Sequence, residues 1–477
     1  MYDVIIIGAG AVGAFMARKL SRYELSVAVL EKESDVGNVT SNANSAIVHS
    51  GYDPVPGTLK AKLNVLGNKM YPQICDELDV HFVQNGSLTV AVEKEQLNTL
   101  DELAKRSKEN GVEVRLLSKE ETLKLEPNIN PDCVGSLFAP TAGIVDPFNL
   151  VVHAMENAVD NGVKLFLNEE VTSIKQNKDS FLVKTKNNEY EASVVINCAG
   201  LYSDKIAEMI EPIDWSITPR KGEYFVLDHF NDNFLNHTVF PLPSKKGKGI
   251  LVSPTSSHNY IVGPSSEPIE DKDDVSTDSL TLAEIRRQAT LLVPSVPFNQ
   301  VIRVFSGVRS TPSTHDFIIE PAKSNSRFIN VAGIESPGLV SSPAIAEYVY
   351  DNFVSKLFTL KEKQNFNPRV RKYNVLNDLS FNERNELIKS NPEYGKIICS
   401  CEKISLGEIK DLLSRSVPPT TVKGVKRRCR AGFGKCQGGF CSPMVTMILA
   451  GYYHVSPLDI KWDKSNSNIL TEEVKKL

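Results

Sequence analysis

Short unbroken apolar runs, separated by amphipathic stretches, dominate the chain, and the first such run sets its frame. Residues 4–7 (Val-Ile-Ile-Ile) are all β-branched, as in a strand buried on both faces of a parallel sheet. Residues 14–20 have helical character, and residues 26–30 form a second apolar run closed by Glu31. Residues 1–32 therefore predict a strand–turn–helix–strand unit. Apolar spacing predicts a helix over 59–78, and residues 94–110 and 119–125 also read as helices. Residues 80–92 alternate and turn at Asn85-Gly86, a hairpin pattern. A strand is expected at 134–139, and Asp146-Pro147 opens a helix to residue 161. Residues 164–174, 181–185 and 190–197 predict strands, the last running into Cys198-Ala199-Gly200.

The character changes over 213–315. Apolar runs at 217–227, 237–242, 250–254, 260–263 and 302–308 are interrupted by one helical stretch, 281–292. This pattern predicts an antiparallel sheet. A buried strand returns at 328–332, followed by Gly333-Ile334-Glu335-Ser336-Pro337-Gly338 and a helix from Leu339 to Lys356. Residues 360–395 are polar and read as a connector with a helix at 382–389; a cysteine-rich segment begins near Lys396.

The first turn carries chemistry. Gly8, Gly10 and Gly13 stand at G-x-G-x-x-G spacing between predicted strand and helix. Such glycines permit a tight turn, close approach of a pyrophosphate to the backbone, and close helix–strand packing. The helix N-terminus then offers free N–H groups and a positive dipole end. Glu31, about 20 residues on, is placed to accept from a ribose hydroxyl. The unit predicts dinucleotide binding and leaves NAD and FAD both open. The turn 333–338 would bring a second helix N-terminus to the same ligand.

A chain of 477 residues suits two or three domains of about 100–200 residues. Its net charge of −4 gives no reason to expect nucleic acid. No run reaches the length of about 18 apolar residues that spans a membrane. The first strand begins at Asp3 with no signal peptide ahead of it. A cytoplasmic location is expected, with peripheral contact at the inner membrane face left open. Five of the eight cysteines, Cys399, Cys401, Cys429, Cys436 and Cys441, crowd into positions 399–441, which favours metal binding over disulfides. Four thiolates suit zinc or an iron–sulfur cluster, and the C-x-C pair at Cys399 and Cys401 tilts towards iron–sulfur. Lys426, Arg427, Arg428 and Arg430 form a basic run. Such runs are usually solvated; this one could also dock an acidic partner or offset a cluster's charge.

Residues 1–32, Val171, the turn at Asn197-Cys198-Ala199-Gly200, and 333–338 resemble the D-amino-acid-oxidase-type FAD oxidoreductases over nearly all of 1–360. Within that group, Asn44-Ser45-Ala46-Ile47-Val48-His49-Ser50-Gly51 is similar to the loop of FAD-dependent glycerol-3-phosphate and 2-hydroxyglutarate dehydrogenases. So are residues 248–255, Gly307-Val308-Arg309 with Asp316, and Ser336-Pro337-Gly338. The strongest likeness is to the bacterial type II glycerol-3-phosphate dehydrogenases and oxidases. Cys399-Ser400-Cys401-Glu402 and residues 431–441 resemble the bacterioferritin-associated-ferredoxin-like [2Fe-2S] domain. Cys429 departs from that pattern, since relatives carry a hydroxyl residue there; Cys436 is kept as the third ligand.

The resemblance implies an α/β, Rossmann-type FAD domain over 1–360, with an antiparallel β substrate subdomain inserted at about 80–145 and 213–315. It further implies a connector over 361–395, a small helical [2Fe-2S]-binding domain over 396–455 and a tail over 456–477. Implied flavin contacts are Gly8, Gly10, Ala11, Val12, Gly13, Glu31, Lys32, Ser41, Asn42, Asn44, Ser45, Val171, Ala199, Gly200, Gly333, Gly338 and Leu339. Implied cluster ligands are Cys399, Cys401, Cys436 and Cys441.

Oxidising a secondary alcohol by hydride transfer to flavin needs a base for the hydroxyl proton. His49 is the candidate, because an imidazole of ordinary pKa, about 6.5, is mostly neutral near pH 7. An anionic substrate needs fixed cations: Arg309 offers a two-pronged fork and Lys248 a point charge. Ser336 could donate to substrate or flavin, while Arg220 and Lys221 are weaker candidates, expected at a strand rim. The implied activity is oxidation of sn-glycerol 3-phosphate to dihydroxyacetone phosphate, with hydride passing to flavin N5 and electrons relayed through the cluster to a partner subunit or quinone. The alternatives are an L-2-hydroxyglutarate or other 2-hydroxyacid dehydrogenase, or an electron-transfer subunit with no substrate of its own.

Overall fold

The computed structural model describes residues 1–230, 234–243 and 249–473. Tyr2–Ile7 pairs in parallel with Val27–Leu30 on one side and with Glu189–Asn197 on the other. Phe328–Ala332 and Lys164–Phe166 extend the parallel set, and Val171–Gln176, Phe181–Thr185 and Ile318–Pro321 add antiparallel strands. Val4 and Ile6 face one core, shared with helices Ala11–Leu20, Pro147–Asp160 and Gly338–Val349. Ile5 and Ile7 face a second core on the other side. Burial on both faces explains an unbroken β-branched run where a one-sided sheet would alternate.

A second sheet of nine strands contains Ser87–Ala91, Gly135–Ala139, Ile217–Leu227 and Val301–Pro312. Helix Ser279–Leu292 packs on it through Ile285, Ala289 and Leu292. This sheet is mostly antiparallel, but Thr238–Pro241 runs parallel to Ser87–Ala91.

Two expected elements differ. Residues 80–92 do not form a hairpin. Phe82–Val83 pairs with Gly143–Val145 in a three-stranded sheet, whereas Ser87–Ala91 joins the nine-stranded one. Gly86, at φ +75°, hands the chain from one sheet to the other. Alternation specifies a half-buried strand without naming its neighbour, and here the neighbours are distant. Residues 164–174 are two strands, broken at Asn168, which sits at φ +59°. Asn tolerates this left-handed conformation better than most residues, and the N–H groups of Asn168 and Glu169 donate to the carbonyls of Glu33 and Glu31.

The C-terminal module opens with a hairpin, Ile397–Cys399 against Ile404–Ser405. Helices Leu406–Leu413, Val422–Cys429 and Ser442–Tyr453 enclose Ile409, Leu412, Val425 and Leu449. Ile460 and Trp462, beyond the last helix, join this core.

The basic run is not solvated. Arg427 and Arg428 are buried, and both reach Asp35 in the loop that follows Val27–Leu30. Asp35 Oδ2 accepts from Arg427 Nη2 at 2.9 Å and Arg428 Nη1 at 2.7 Å, while Oδ1 accepts from Arg428 Nη2 at 2.8 Å. Asp463 and Asn38 also contact Arg427. A second buried pair, Arg415 with Glu156 at 2.7 Å, ties the module to helix Pro147–Asp160. The acidic partner of this run therefore lies in the same chain, about 390 positions away.

Burial acts to raise the Asp35 pKa, but the guanidinium groups of Arg428 and Arg427 override it and hold the carboxyl at about 2. A carboxyl with a depressed folded-state pKa stabilises the fold above its unfolded value. That contribution is lost as pH falls from about 4 towards 2. Asp35→Asn should strand the buried Arg428, leave Arg427 with Asp463 alone, and cost about 3–5 kcal/mol in denaturant unfolding. The variant should also show a weaker loss of stability between those pH values than the wild type.

Candidate active site and cluster site

A cavity of about 890 Å³ lies between the glycine turn and the nine-stranded sheet. The turn is built by close backbone contact. A Cβ on Gly13 would collide with the Gly8 carbonyl, and one on Gly8 would lie 2.5 Å from the Cys198 carbonyl oxygen. Gly10, Ala11 and Val12 then present the start of helix Ala11–Leu20 to the cavity. Ser41 Oγ accepts from the Ala11 N–H at 2.9 Å. Gly338 and Leu339, at the start of helix Gly338–Val349, line the cavity too. Two helix N-termini thus face one space, which favours a phosphate-bearing ligand.

Of the implied flavin contacts, Gly10, Ala11, Val12, Ser41, Asn44, Ser45, Gly200, Gly338 and Leu339 line the cavity. Gly8, Gly13, Glu31, Lys32, Asn42, Val171, Ala199 and Gly333 are not on its wall. Glu31 braces the turn: its Oε2 accepts from the Ala9 N–H at 2.7 Å and its Oε1 from the Glu33 N–H at 2.9 Å. Burial pushes its pKa up against those two donors. Lys32 lies over the Tyr202 ring, Val171 belongs to the core on the second face, Asn42 bonds Asn38, and Gly333 turns at φ +65° beside Pro312.

His49, Arg309 and Ser336 share this cavity. Lys248 lies outside the described residues. His49 follows the short strand Ile47–Val48, and its carbonyl accepts from Asn64 at 2.7 Å and Asn68 at 3.2 Å, both on helix Leu59–Glu77. Its ring lies 5.9 Å from that of Phe240. Arg309 Nη1 donates to Ser266 Oγ at 3.3 Å, and Nη2 to the Ser265 carbonyl at 3.1 Å. Its guanidinium passes over Gly222, where a Cβ would strike Nη2.

Arg220, expected at a rim, lines the cavity directly opposite Arg309 in the ladder. Among the described residues, no acid forms an ion pair with either. Lys221, one position on and hence on the other face, pairs with Asp274 at 2.8 Å. Lys60 is also spoken for, by Glu335 at 2.7 Å. Among the described residues, Arg220 and Arg309, directly opposite in the ladder, are thus cavity-lining cations without an acidic partner. Gly307 matters for a separate reason: a Cβ there would run into the Ala43 carbonyl. Its absence lets the 40–45 loop lie on the strand, where Thr40 Oγ1 donates to the Val308 carbonyl at 2.8 Å.

The cysteines form two close pairs. Cys401 Sγ and Cys436 Sγ are 3.7 Å apart. Cys399 is held down to about 6, chiefly by a hydrogen bond from Cys441, with the Glu402 and Gly432 N–H groups assisting. Burial acts to raise the Cys436 pKa, yet the N–H groups of Phe440, Gly438 and Gly439, with Cys401, keep it below the ordinary value. Two thiol pairs ringed by N–H donors fit a cluster with two irons, each taking two cysteines. Cys429 points elsewhere: its Sγ is 3.4 Å from the Val425 carbonyl, and burial pushes its pKa up to about 12.

A crevice at the glycine turn of a parallel α/β sheet, roofed by a second sheet, defines a dinucleotide-dependent oxidoreductase. The model of the FAD dependent oxidoreductase family matches residues 3–352, and the chain belongs to that family. The model of the BFD-like [2Fe-2S] binding domain matches residues 397–451. Its cofactors are accordingly FAD and a [2Fe-2S] cluster. The chain is 46% identical over 476 residues to a glycerol 3-phosphate dehydrogenase of Caloramator mitchellensis, covering 100% of this chain and 99% of that one. It is 36% identical to a glycerol 3-phosphate oxidase of Mycoplasma genitalium, over 77% of this chain and 97% of the relative. The dithionite-reduced, FAD-bound L-alpha-glycerophosphate oxidase of Mycoplasma pneumoniae superposes with a TM-score of 0.74 at 33% identity, over 77% of this chain and 98% of that one.

Replacing Gly307 by Ala should push the 40–45 loop off its strand and loosen the wall that includes Ser41 and Ser45. The expected result is a fall in bound flavin, read from the absorbance ratio of flavin to protein, with iron content unchanged.

Proposed function

We propose that this chain oxidises sn-glycerol 3-phosphate to dihydroxyacetone phosphate and passes the electrons, one at a time, through its cluster to an electron acceptor. The observation that carries the substrate is the unpaired Arg220–Arg309 pair on the wall of the cavity that also holds His49. Two adjacent guanidinium forks suit a dianionic phosphate better than a single carboxylate. Near-whole-length likeness to a glycerol 3-phosphate dehydrogenase supports the same reading.

Bound FAD would supply the hydride acceptor and the cluster a one-electron carrier. The glycine turn, Ser41, Ser45 and the start of helix Gly338–Val349 would hold the flavin nucleotide; Cys399, Cys401, Cys436 and Cys441 would hold the irons. Arg220 and Arg309 bind the phosphate and so fix the secondary alcohol in the cavity. His49 takes the hydroxyl proton as the C2 hydrogen departs, and Asn64 and Asn68 keep its backbone in place. Among the described residues, no helix is long and apolar enough to cross a membrane, which leaves protein and quinone acceptors both to be tested.

Glycerol 3-phosphate should bleach the flavin under anaerobic conditions, and more readily than L-2-hydroxyglutarate; bleaching by neither would remove both assignments and leave another 2-hydroxyacid or the electron-transfer reading. His49→Gln should lower turnover by about 10²–10⁴-fold with flavin and iron retained. Arg220→Ala and Arg309→Ala should each raise KM by about 10–100-fold, the loss of one charge-assisted contact. An unchanged KM in both variants removes the phosphate assignment.

A further inference from the structure

The four-cysteine site is lopsided. Cys399 and Cys441 are buried, Cys436 is half-buried and Cys401 is exposed. Phe440 lies beside it, donating its N–H to Cys436, yet the residue is 86% exposed. Along helix Ser442–Tyr453, Val445 and Leu449 are buried in the module core, whereas Met444 and Met447 are 51% and 57% exposed. Positions three apart share a helix face, so the two methionines form one apolar strip leading away from Phe440. The module's side-chain bonds to the flavin domain run through Arg415, Arg427, Arg428, Arg430 and Gln437, and not through Phe440, Met444 or Met447. Large apolar side chains left together at a surface mark an interaction site, and methionine adapts to a partner's shape.

Charge selects the occupant. Lys403 and Lys435 are exposed next to Cys401 and Cys436, and among the described residues neither has an ion-pair partner. Their acidic neighbour Glu402 is taken by Arg430 at 2.8 Å. A cleft of about 440 Å³ is lined by Cys401, Lys403 and Lys435 together with Asp228 and His229. An apolar centre bordered by unpaired lysines complements a partner with an apolar contact point and a carboxylate rim.

We infer that the face formed by Phe440, Met444 and Met447, with Lys403 and Lys435, docks an acidic one-electron carrier protein. The inference rests on the electron relay proposed above and names its exit. The electron count balances: one alcohol oxidised to a ketone yields two electrons and two protons. Two carrier encounters remove one electron each, and the protons pass to solvent.

The full-length holoenzyme, reduced with dithionite and freed of excess, is titrated with the soluble domain of cytochrome b5, an acidic haem protein, and with cytochrome c, a basic one. The wild type should bind cytochrome b5 and be reoxidised by it, with both falling steeply as salt rises. Met444→Glu/Met447→Glu should lose about tenfold or more in affinity and in reoxidation rate, with iron content, flavin bleaching and reduction of a small dye acceptor unchanged. The proposal is overturned if the wild type does not bind cytochrome b5, if cytochrome c is preferred, or if the double variant behaves as the wild type. It is equally overturned if the substitutions remove only self-association or binding to anionic vesicles. Dithionite reduction needs no alcohol, so a failure of glycerol 3-phosphate to bleach the flavin would count against the substrate reading alone.

Discussion

Two arginines placed directly opposite on neighbouring strands repel one another, and much of the active-site wall follows from how the fold tolerates that. The ladder between Ile217–Leu227 and Val301–Pro312 keeps register from Ile217 opposite Pro312 to Val226 opposite Arg303, so Arg220 has no choice of neighbour. Tyr224 and Phe305, two rungs beyond the glycines, stack with centroids 4.7 Å apart and help to hold that register. Between them Gly222 faces Gly307, which gives the Arg309 guanidinium room to lie flat and lets the 40–45 loop dock. The repulsion costs up to about 1 kcal/mol. Charge-assisted hydrogen bonds to a bound anion return about 1.5–3 kcal/mol each. Under the phosphate reading proposed above, a dianion on this wall would offset that repulsion.

Local features were legible in the chain; features that depend on register were not. Residues 1–32 could be read because their strand, turn and helix are contiguous and each glycine acts on its own neighbourhood. The cysteines were legible as two short spacings, Cys399 with Cys401 and Cys436 with Cys441, although the fold pairs them across those spacings, Cys401 with Cys436 and Cys399 with Cys441. Arg220 was misjudged because the face it occupies depends on a partner strand some ninety residues away. Gly307 was noticed only as part of a motif, since its contact, the Ala43 carbonyl, belongs to another element. For the basic run 426–430 the sequence left solvation, an acidic partner and a cluster's charge all open, because its counter-charge, Asp35, sits at the far end of the chain. The false hairpin at Asn85-Gly86 has the same origin: alternation gives burial, not pairing.

The C-terminal module sits on the two elements that shape the flavin cavity. Asp35 anchors one end of the loop whose other end bears Ser41 and Ser45, and Gly37 of that loop donates to the Ala9 carbonyl in the glycine turn. Arg303, on the strand that carries Arg309, donates to Gln437 Oε1 at 3.1 Å, next to Cys436. One extended strand thus runs from the neighbourhood of Cys436 to the cavity wall that carries Arg309, about 20 Å at 3.3–3.4 Å per residue. Coupling the two sites needs no moving part, only the integrity of these anchors.

The chain also leaves cations under-compensated at both places where negative charge collects. At the cavity these are Arg220 and Arg309. At the module interface Lys426 shares Gln437 Oε1 with Arg303. Burial, with Arg303 and Lys423, drives the Lys426 pKa down to about 7, and the nearby Cys441 acts the other way. A four-thiolate cluster carries net negative charge and grows more negative when reduced. Lys426 and Arg303, both on Gln437 beside Cys436, would offset part of that charge. Both ends of the strand thus carry a cation with no acidic partner among the described residues, Arg303 beside Gln437 and Arg309 on the cavity wall.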